Sequence, residues 1–269
     1  SRLLDAYGTQ VIHQAWKPVT VFLNGKYWGH MNLRERVDRF FIAQFEGLSL
    51  DQADEMDILE ANGSVNFGSN KAYRAMLKKI KAGSPATNPD DLQYILDNVD
   101  VDNLFEYMAL EMFVGNSDIG NIRYYRLHQE GRKWIWYDAD YGLYSSKFNS
   151  PWSYLKVKGM GEQKIDNTIF LKLLEHPDYK RKFLEKLADV YKTFTTEYMT
   201  QVLDGVVAEI QPEMKNHWER WGELNDKAVT SEVPTTIDGA YTYWESRVNR
   251  LYNTLKVRPH RLWDFIKDE

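Results

Sequence analysis

The chain has no cysteine, which excludes disulfides, thiolate nucleophiles and thiolate-bound metals together. Its six histidines, at positions 13, 30, 128, 176, 217 and 260, offer no pair at metal-ligand spacing, so a zinc site is not expected. Basic charge is in short supply: 34 Lys and Arg stand against 39 Asp and Glu, for a formal net charge of -5. The broad basic field that a phosphate backbone requires is missing, and nucleic acid is not an expected partner. No apolar run approaches the length of a membrane-spanning helix. There is no Gly-x-Ser-x-Gly elbow, internal repeat or low-complexity segment. Ser1-Arg2-Leu3-Leu4-Asp5 opens without Met or a charged-then-apolar leader, as in a processed or shortened chain. What is present is apolar material: 43% hydrophobic and 14% aromatic residues over 269 positions, ample for one large domain or two small ones.

The first firm structural signal is Val19-Thr20-Val21-Phe22-Leu23 and Lys26-Tyr27-Trp28-Gly29-His30-Met31-Asn32-Leu33 around Asn24-Gly25. Two extended runs about that dipeptide predict a β-hairpin with a type I′ turn. Val37, Phe40, Phe41 and Phe45 then recur at helical spacing, predicting a helix over about 34–46. Asp57 to Glu60 reads as a short strand, Asn62 to Asn70 as a Gly-, Ser- and Asn-rich loop, and Ala72 to Ala82 as a helix. Asn88-Pro89-Asp90-Asp91 is a helix start, leading into Leu92 to Val99, and a second helix follows over Val101 to Val114. Ile122 to Leu127 and Lys133 to Tyr137 predict another hairpin across Gln129-Glu130-Gly131. Beyond Asn167 the pattern is helical: a segment with Ile169, Leu171, Leu173 and Leu174, then Pro177 to Tyr191, then a helix from Thr195 towards His217, then Ala240 to Leu255. A few strands and many helices in segregated blocks give an α+β class.

Oxygen-rich loops flank the second predicted hairpin. Gly115-Asn116-Ser117-Asp118-Ile119-Gly120-Asn121 precedes it, and Tyr137-Asp138-Ala139-Asp140-Tyr141-Gly142 follows it. A hairpin returns the chain on itself, so Asp118 and Asn121 on one side can face Asp138 and Asp140 on the other. Carboxylate and amide oxygens suit Mg²⁺, which keeps waters and adds substrate phosphate oxygens. An Asp off the metal can orient or deprotonate an acceptor hydroxyl. Alternation sends the Asp138 and Asp140 carboxylates to one side, where their repulsion favours a cation. The same residue types also cap helices and make turns, so residue content leaves both roles open. Gly159-Met160-Gly161 among Lys156, Lys158 and Lys164 is a weaker phosphate-loop pattern. Lys71 to Lys81 reads as a solvated basic helix and most aromatics as packing residues. Asp138 and Asp140 are too close in sequence to serve both faces of a sugar ring.

The run Gly115 through Ile122-Arg123-Tyr124-Tyr125-Arg126, followed by Trp134-Ile135-Trp136-Tyr137-Asp138-Ala139-Asp140, resembles the signature of the CotH (spore coat protein H) kinase family. Phe22-Leu23-Asn24-Gly25-Lys26-Tyr27-Trp28-Gly29 with Leu33-Arg34-Glu35-Arg36-Val37-Asp38 resembles that family's hairpin and following helix. The block from Phe170 through Phe194 to Trp221 resembles its helical C-terminal part. The resemblance implies an atypical protein-kinase-like fold forming one domain over 1–269, with 1–60 the remnant of an N-terminal lobe and 61–269 a mainly helical C-terminal lobe. It implies ATP and Mg²⁺ or Mn²⁺ as cofactors, and a protein substrate in a secretory or coat setting. Asp118 then matches the catalytic-loop Asp, Asn121, Asp138 and Asp140 the metal-holding positions with Asp138 the favoured ligand, and Glu35 the helix Glu that pairs with a nucleotide-binding Lys. Glu35 is equally readable as a solvated charge among Arg34, Arg36 and Arg39. The family's Gly/Ser- and Lys-containing front segment has no match here. That leaves a second expectation, a non-catalytic surface or coat-associated module using the same fold for protein contacts.

Overall fold

Asn24 and Gly25 carry φ of 51° and 75°. Both central residues of the turn are left-handed, as a type I′ turn requires, which is why this dipeptide can close a hairpin tightly. Strands β2 (Trp16–Leu23) and β3 (Lys26–Arg34) flank it in antiparallel register, Trp16 opposite Arg34 and Leu23 opposite Lys26. The computed structural model describes residues 1–116, 120–128, 133–136, 142–143, 165–221 and 236–266. Before the hairpin lie α1 (Arg2–Tyr7) and the two-residue strand β1 (Ile12–His13).

The helix after the hairpin is shorter than its periodicity predicts. β3 pairing runs on through Arg34, and α2 (Arg39–Phe45) begins only where the Asp38 carboxylate accepts from the N–H groups of Phe40 and Phe41 at 3.0 and 3.1 Å. Glu35 therefore lies outside any helix. The segment read as a loop over Asn62 to Asn70 contains β5 (Ser64–Phe67), which pairs with β4 (Met56–Glu60). The sharp reversal places Ala61 and Gly63 at positive φ. A polar, glycine-bearing composition hid a strand that pairing creates.

One sheet has the order β1-β7-β6-β4-β5, where β6 is Arg123–Leu127 and β7 is Lys133–Trp136. The predicted second hairpin is present: Arg123 pairs with Ile135 and Tyr125 with Lys133 in antiparallel register. β1 joins β7 in parallel, Ile12 opposite Ile135. Strands from early and late in the chain thus share one sheet. Its one face packs on α2 through Val37, Ile42, Met56, Ile58 and Tyr125.

The helical part is built on α5 (Val101–Val114), which matches its predicted bounds. From Asn103 to Phe113 every residue is buried, the mark of a helix enclosed on all sides. α3 (Lys71–Ala82), α4 (Pro89–Asn98), α6 (Thr168–Leu174) and α7 (Pro177–Thr193) pack around it. Phe105, Phe170 and Phe183 meet edge to face with centroids 4.8 to 5.8 Å apart. Asn88 and His176 side chains cap α4 and α7 ahead of Pro89 and Pro177. α8 (Thr196–Trp221) and α9 (Ile237–Ile266) close the chain. None of the helices among the described residues is long and apolar enough to cross a membrane.

The hairpin docks on α8. Trp28 and Trp221 pack edge to face at 5.1 Å, and the Trp221 indole N–H donates to the Trp28 carbonyl at 2.7 Å. Gly29, with φ of 131°, permits this approach: a Cβ there would lie 2.7 Å from Trp221 Nε1. A small β-containing N-terminal part and a larger helical C-terminal part make the α+β architecture.

Candidate functional site

α5 stops at Gly115, which is left-handed with φ 61°, as helix ends on glycine commonly are. A helix leaves its last four carbonyls without internal partners, and here each finds one from elsewhere. Glu111 O accepts from Gly115 N–H at 2.9 Å. Met112 O and Phe113 O accept from the Arg258 guanidinium of α9, which is buried at 1% exposure. Val114 O accepts from Leu143 N–H at 2.7 Å. This last bond joins the two motifs through their flanks: the chain that leaves Asp138-Ala139-Asp140 is tied to the helix end from which the chain towards Asp118 departs. Asp118, Asp138 and Asp140 themselves lie outside the described residues, as does Gly159-Met160-Gly161.

A cleft of about 380 Å³ opens at this junction, within the ~300–1,000 Å³ of small-molecule sites. Phe113, Val114, Gly142 and Leu143 form its inner wall, α1 contributes Leu3 and Leu4, and His13, Trp16, Asn32 and Arg34 line it from β1 and the foot of the hairpin. Strand alternation explains the last set, since Asn32 and Arg34 share one face with Trp16 opposite. α1 and β1 are held over α5 by Glu106, which accepts from the Thr9 hydroxyl, from Gln10 N–H at 3.2 Å and from Lys186 Nζ at 3.4 Å.

Glu35 braces this cleft from outside. Its Oε2 accepts from Ala15 N–H at 2.8 Å, its own N–H donates to Ala15 O at 3.3 Å, and its carbonyl accepts from Gln14 Nε2. Asn121, half-buried, sits two residues before Arg123 at the start of β6. Arg123 Nη1 donates to the Val37 carbonyl at 2.8 Å while its Nε faces Glu60 at 3.3 Å. The segments carrying Glu35 and Asn121 are therefore anchored to each other through Arg123 and Val37.

Behind the cleft, Glu111 is a buried acid on α5, outside the oxygen-rich loops that the sequence singles out. Burial pushes its carboxyl up to about 7, and hydrogen bonds from Asn116 and Tyr107 act in the opposite direction. It borders a chamber of about 40 Å³ with Tyr73, Ile122, Tyr124 and Phe170, room for a few waters at most. On the far rim, burial acts to raise the Asp166 carboxyl, but Lys81 at 2.5 Å and the Thr168 hydroxyl and N–H outweigh it and hold the group below its ordinary value. The sequence signal for Glu111 was available: a lone acid in Leu110-Glu111-Met112-Phe113-Val114. Arg258 carried none, being one base among several on its helix.

Among the described residues no three His, Asp or Glu side chains come together. The donor set read from the sequence, Asn121 with Asp138 and Asp140, is all oxygen and fits a hard divalent cation. The site so described is a cleft between the β-containing part and the end of a central buried helix, within a two-part α+β fold. A family model described as CotH kinase protein matches residues 3–262, and the chain belongs to the CotH kinase family. No curated protein matches the chain.

Proposed function

We propose that this chain, as one kinase-like domain, transfers the γ-phosphoryl group of ATP to a hydroxyl of a protein substrate. The observation that supports this most directly is the Leu143–Val114 bond, which draws the flanks of the two Asp motifs together at a cleft of nucleotide-binding size. In this reading Asp118 orients the acceptor hydroxyl and takes its proton as the acceptor oxygen bonds to the γ-phosphorus and the bond to the β,γ-bridging oxygen breaks, leaving ADP. Asp138, with Asp140 and Asn121, would hold Mg²⁺ or Mn²⁺, which when bound offsets the charge of the phosphate chain. Glu35 fixes the β1–β2 connection that borders the cleft.

The test separates chemistry from binding. Asp118→Asn is expected to abolish phosphoryl transfer while leaving Mn²⁺-ATP binding intact, and Asp138→Asn to weaken Mn²⁺-ATP binding itself. Transfer and binding are read by incorporation of labelled phosphate and by calorimetry. If neither substitution changes either measurement, the assignment fails. A native chain that binds no metal-nucleotide would instead favour a non-catalytic interaction module on the same fold.

A further inference from the structure

The phosphate chain of a nucleotide carries several negative charges, and a cleft that takes it needs a cation with donors to spare. Arginines near the cleft and the sheet are mostly committed: Arg2 to Glu209, Arg36 to Asp38, Arg39 to Asp54, Arg123 to Glu60 and Arg126 to Asp57. Arg258 is spent on the carbonyls of α5. His13 lines the cleft, yet its Nδ1 faces Val11 O at 3.1 Å and its Nε2 faces Asp5 at 2.7 Å, so neither ring nitrogen is open. Arg34 differs. It lines the cleft and is exposed, and among the described residues it has no carboxylate within ion-pair distance.

The strand end that carries Arg34 is also held firmly. Arg34 pairs with Trp16 in the hairpin register, and the next residue, Glu35, makes three bonds to Ala15 and Gln14. Glu35 is thereby occupied with backbone and does not neutralise its neighbour. Across the cleft stand Val114, Gly142 and Leu143, the flanks of both Asp motifs. Among the described side chains that line the cleft, Arg34 is thus the cation left to meet an anion.

We infer that Arg34 is the anion-holding contact of this cleft, gripping the phosphate chain of a nucleoside triphosphate from the hairpin side, with the Asn32 amide as a second donor on the same strand face. The inference rests on the proposed kinase reading, which supplies the triphosphate. A guanidinium serves here because its planar fork meets two phosphate oxygens at once, whereas an ammonium meets them as a point charge. Arg34 acts on binding and takes no part in the proton transfer assigned to Asp118.

The experiment measures dissociation constants by calorimetry for Mn²⁺-ATP, adenosine and inorganic tripolyphosphate with the native chain, Arg34→Ala, Arg34→Lys and Arg36→Ala. Arg34→Ala is expected to weaken ATP and tripolyphosphate by about tenfold or more, Arg34→Lys to recover part of the loss, and Arg36→Ala to match the native chain. Adenosine affinity should be the same in all four. Because Arg34 is exposed, unfolding midpoints should also agree. Equal tripolyphosphate affinity in the native chain and Arg34→Ala, or no tripolyphosphate binding by the native chain, overturns the inference. Tripolyphosphate binding that depends on Arg34 without any binding of Mn²⁺-ATP upholds the anion contact and removes the kinase reading.

Discussion

Arg258 and Glu111 show how single side chains position a helix end. The Met112 and Phe113 carbonyls are buried with the helix, and the Arg258 guanidinium donates to both. Arg258→Ala strands both, and a buried carbonyl without a partner costs about 1–3 kcal/mol. The expected result is a loss of roughly 3 kcal/mol in urea unfolding, with Arg258→Lys falling between that variant and the native chain because an ammonium reaches fewer acceptors. Equal stability of Arg258→Ala and native protein would refute the capping role. Glu111 gives the opposite sign. Its folded carboxyl is raised to about 7 from the ordinary 4.5, so above pH 4.5 the unfolded chain is ionised while the folded chain keeps its proton. The group thus costs stability progressively from about pH 4.5 to 7, after which both states are ionised and the cost is constant. Glu111→Gln should therefore raise stability at pH 8, by roughly 2–3 kcal/mol, and change it little at pH 4. Urea midpoints at the two pH values decide it; a variant destabilised more at pH 8 than at pH 4 runs against this account.

At the scale of elements, the hairpin depends on α8. His30 N–H donates to His217 Nδ1 at 3.1 Å, and the Tyr27 hydroxyl donates to Glu213 one turn earlier. Burial, reinforced by the charge of His30, holds His217 below its ordinary 6.5, with Glu213 opposing. As pH falls through 6.5 the unfolded chain gains a proton that the folded chain resists, so this contribution is present above 6.5 and lost progressively below it. His217→Gln is expected to flatten the fall in melting temperature between pH 7 and about 5.5; an unchanged slope assigns the fall to other groups. Gly29→Ala combines positive φ with a Cβ at 2.7 Å from Trp221 Nε1 and should cost about 1–3 kcal/mol. A shift in the emission of the Trp28–Trp221 pair would place that loss at the docked face. Legibility in the sequence follows the range of the cause. The Asn24-Gly25 turn, the Asn88-Pro89 cap and the largely apolar helix over Val101–Val114 are set by neighbours in sequence, and each was readable. β1 exists only because Ile12 and His13 pair with β7 over a hundred residues away. β5 and the late start of α2 are likewise products of pairing and of one capping carboxylate. For the site, the oxygen-rich motifs were visible as residue types, whereas the roles of Arg258, Leu143 and the cleft-lining Arg34 became visible only once distant segments had met.

For the whole molecule, the cleft lies where several parts of the chain meet. Its walls come from α1, β1, the hairpin foot, the end of α5 and the chain after the second motif, so a ligand there bridges the β-containing and helical parts. A molecule bound only by the folded state stabilises it by RT ln(1 + [L]/Kd), about 2.7 kcal/mol at a hundredfold excess over Kd. Mn²⁺ with ATP is therefore expected to raise the melting temperature by several degrees, while either alone does less, because the proposed oxygen donors bind the metal best with phosphate oxygens completing its shell. Asp138→Asn should remove the joint effect, and Arg34→Ala should reduce it without removing the contribution of the metal. A joint shift that survives Asp138→Asn would move the metal-nucleotide site away from the second motif. No shift in the native chain would leave a family fold whose cleft serves contacts with other proteins, and the kinase reading would then be given up.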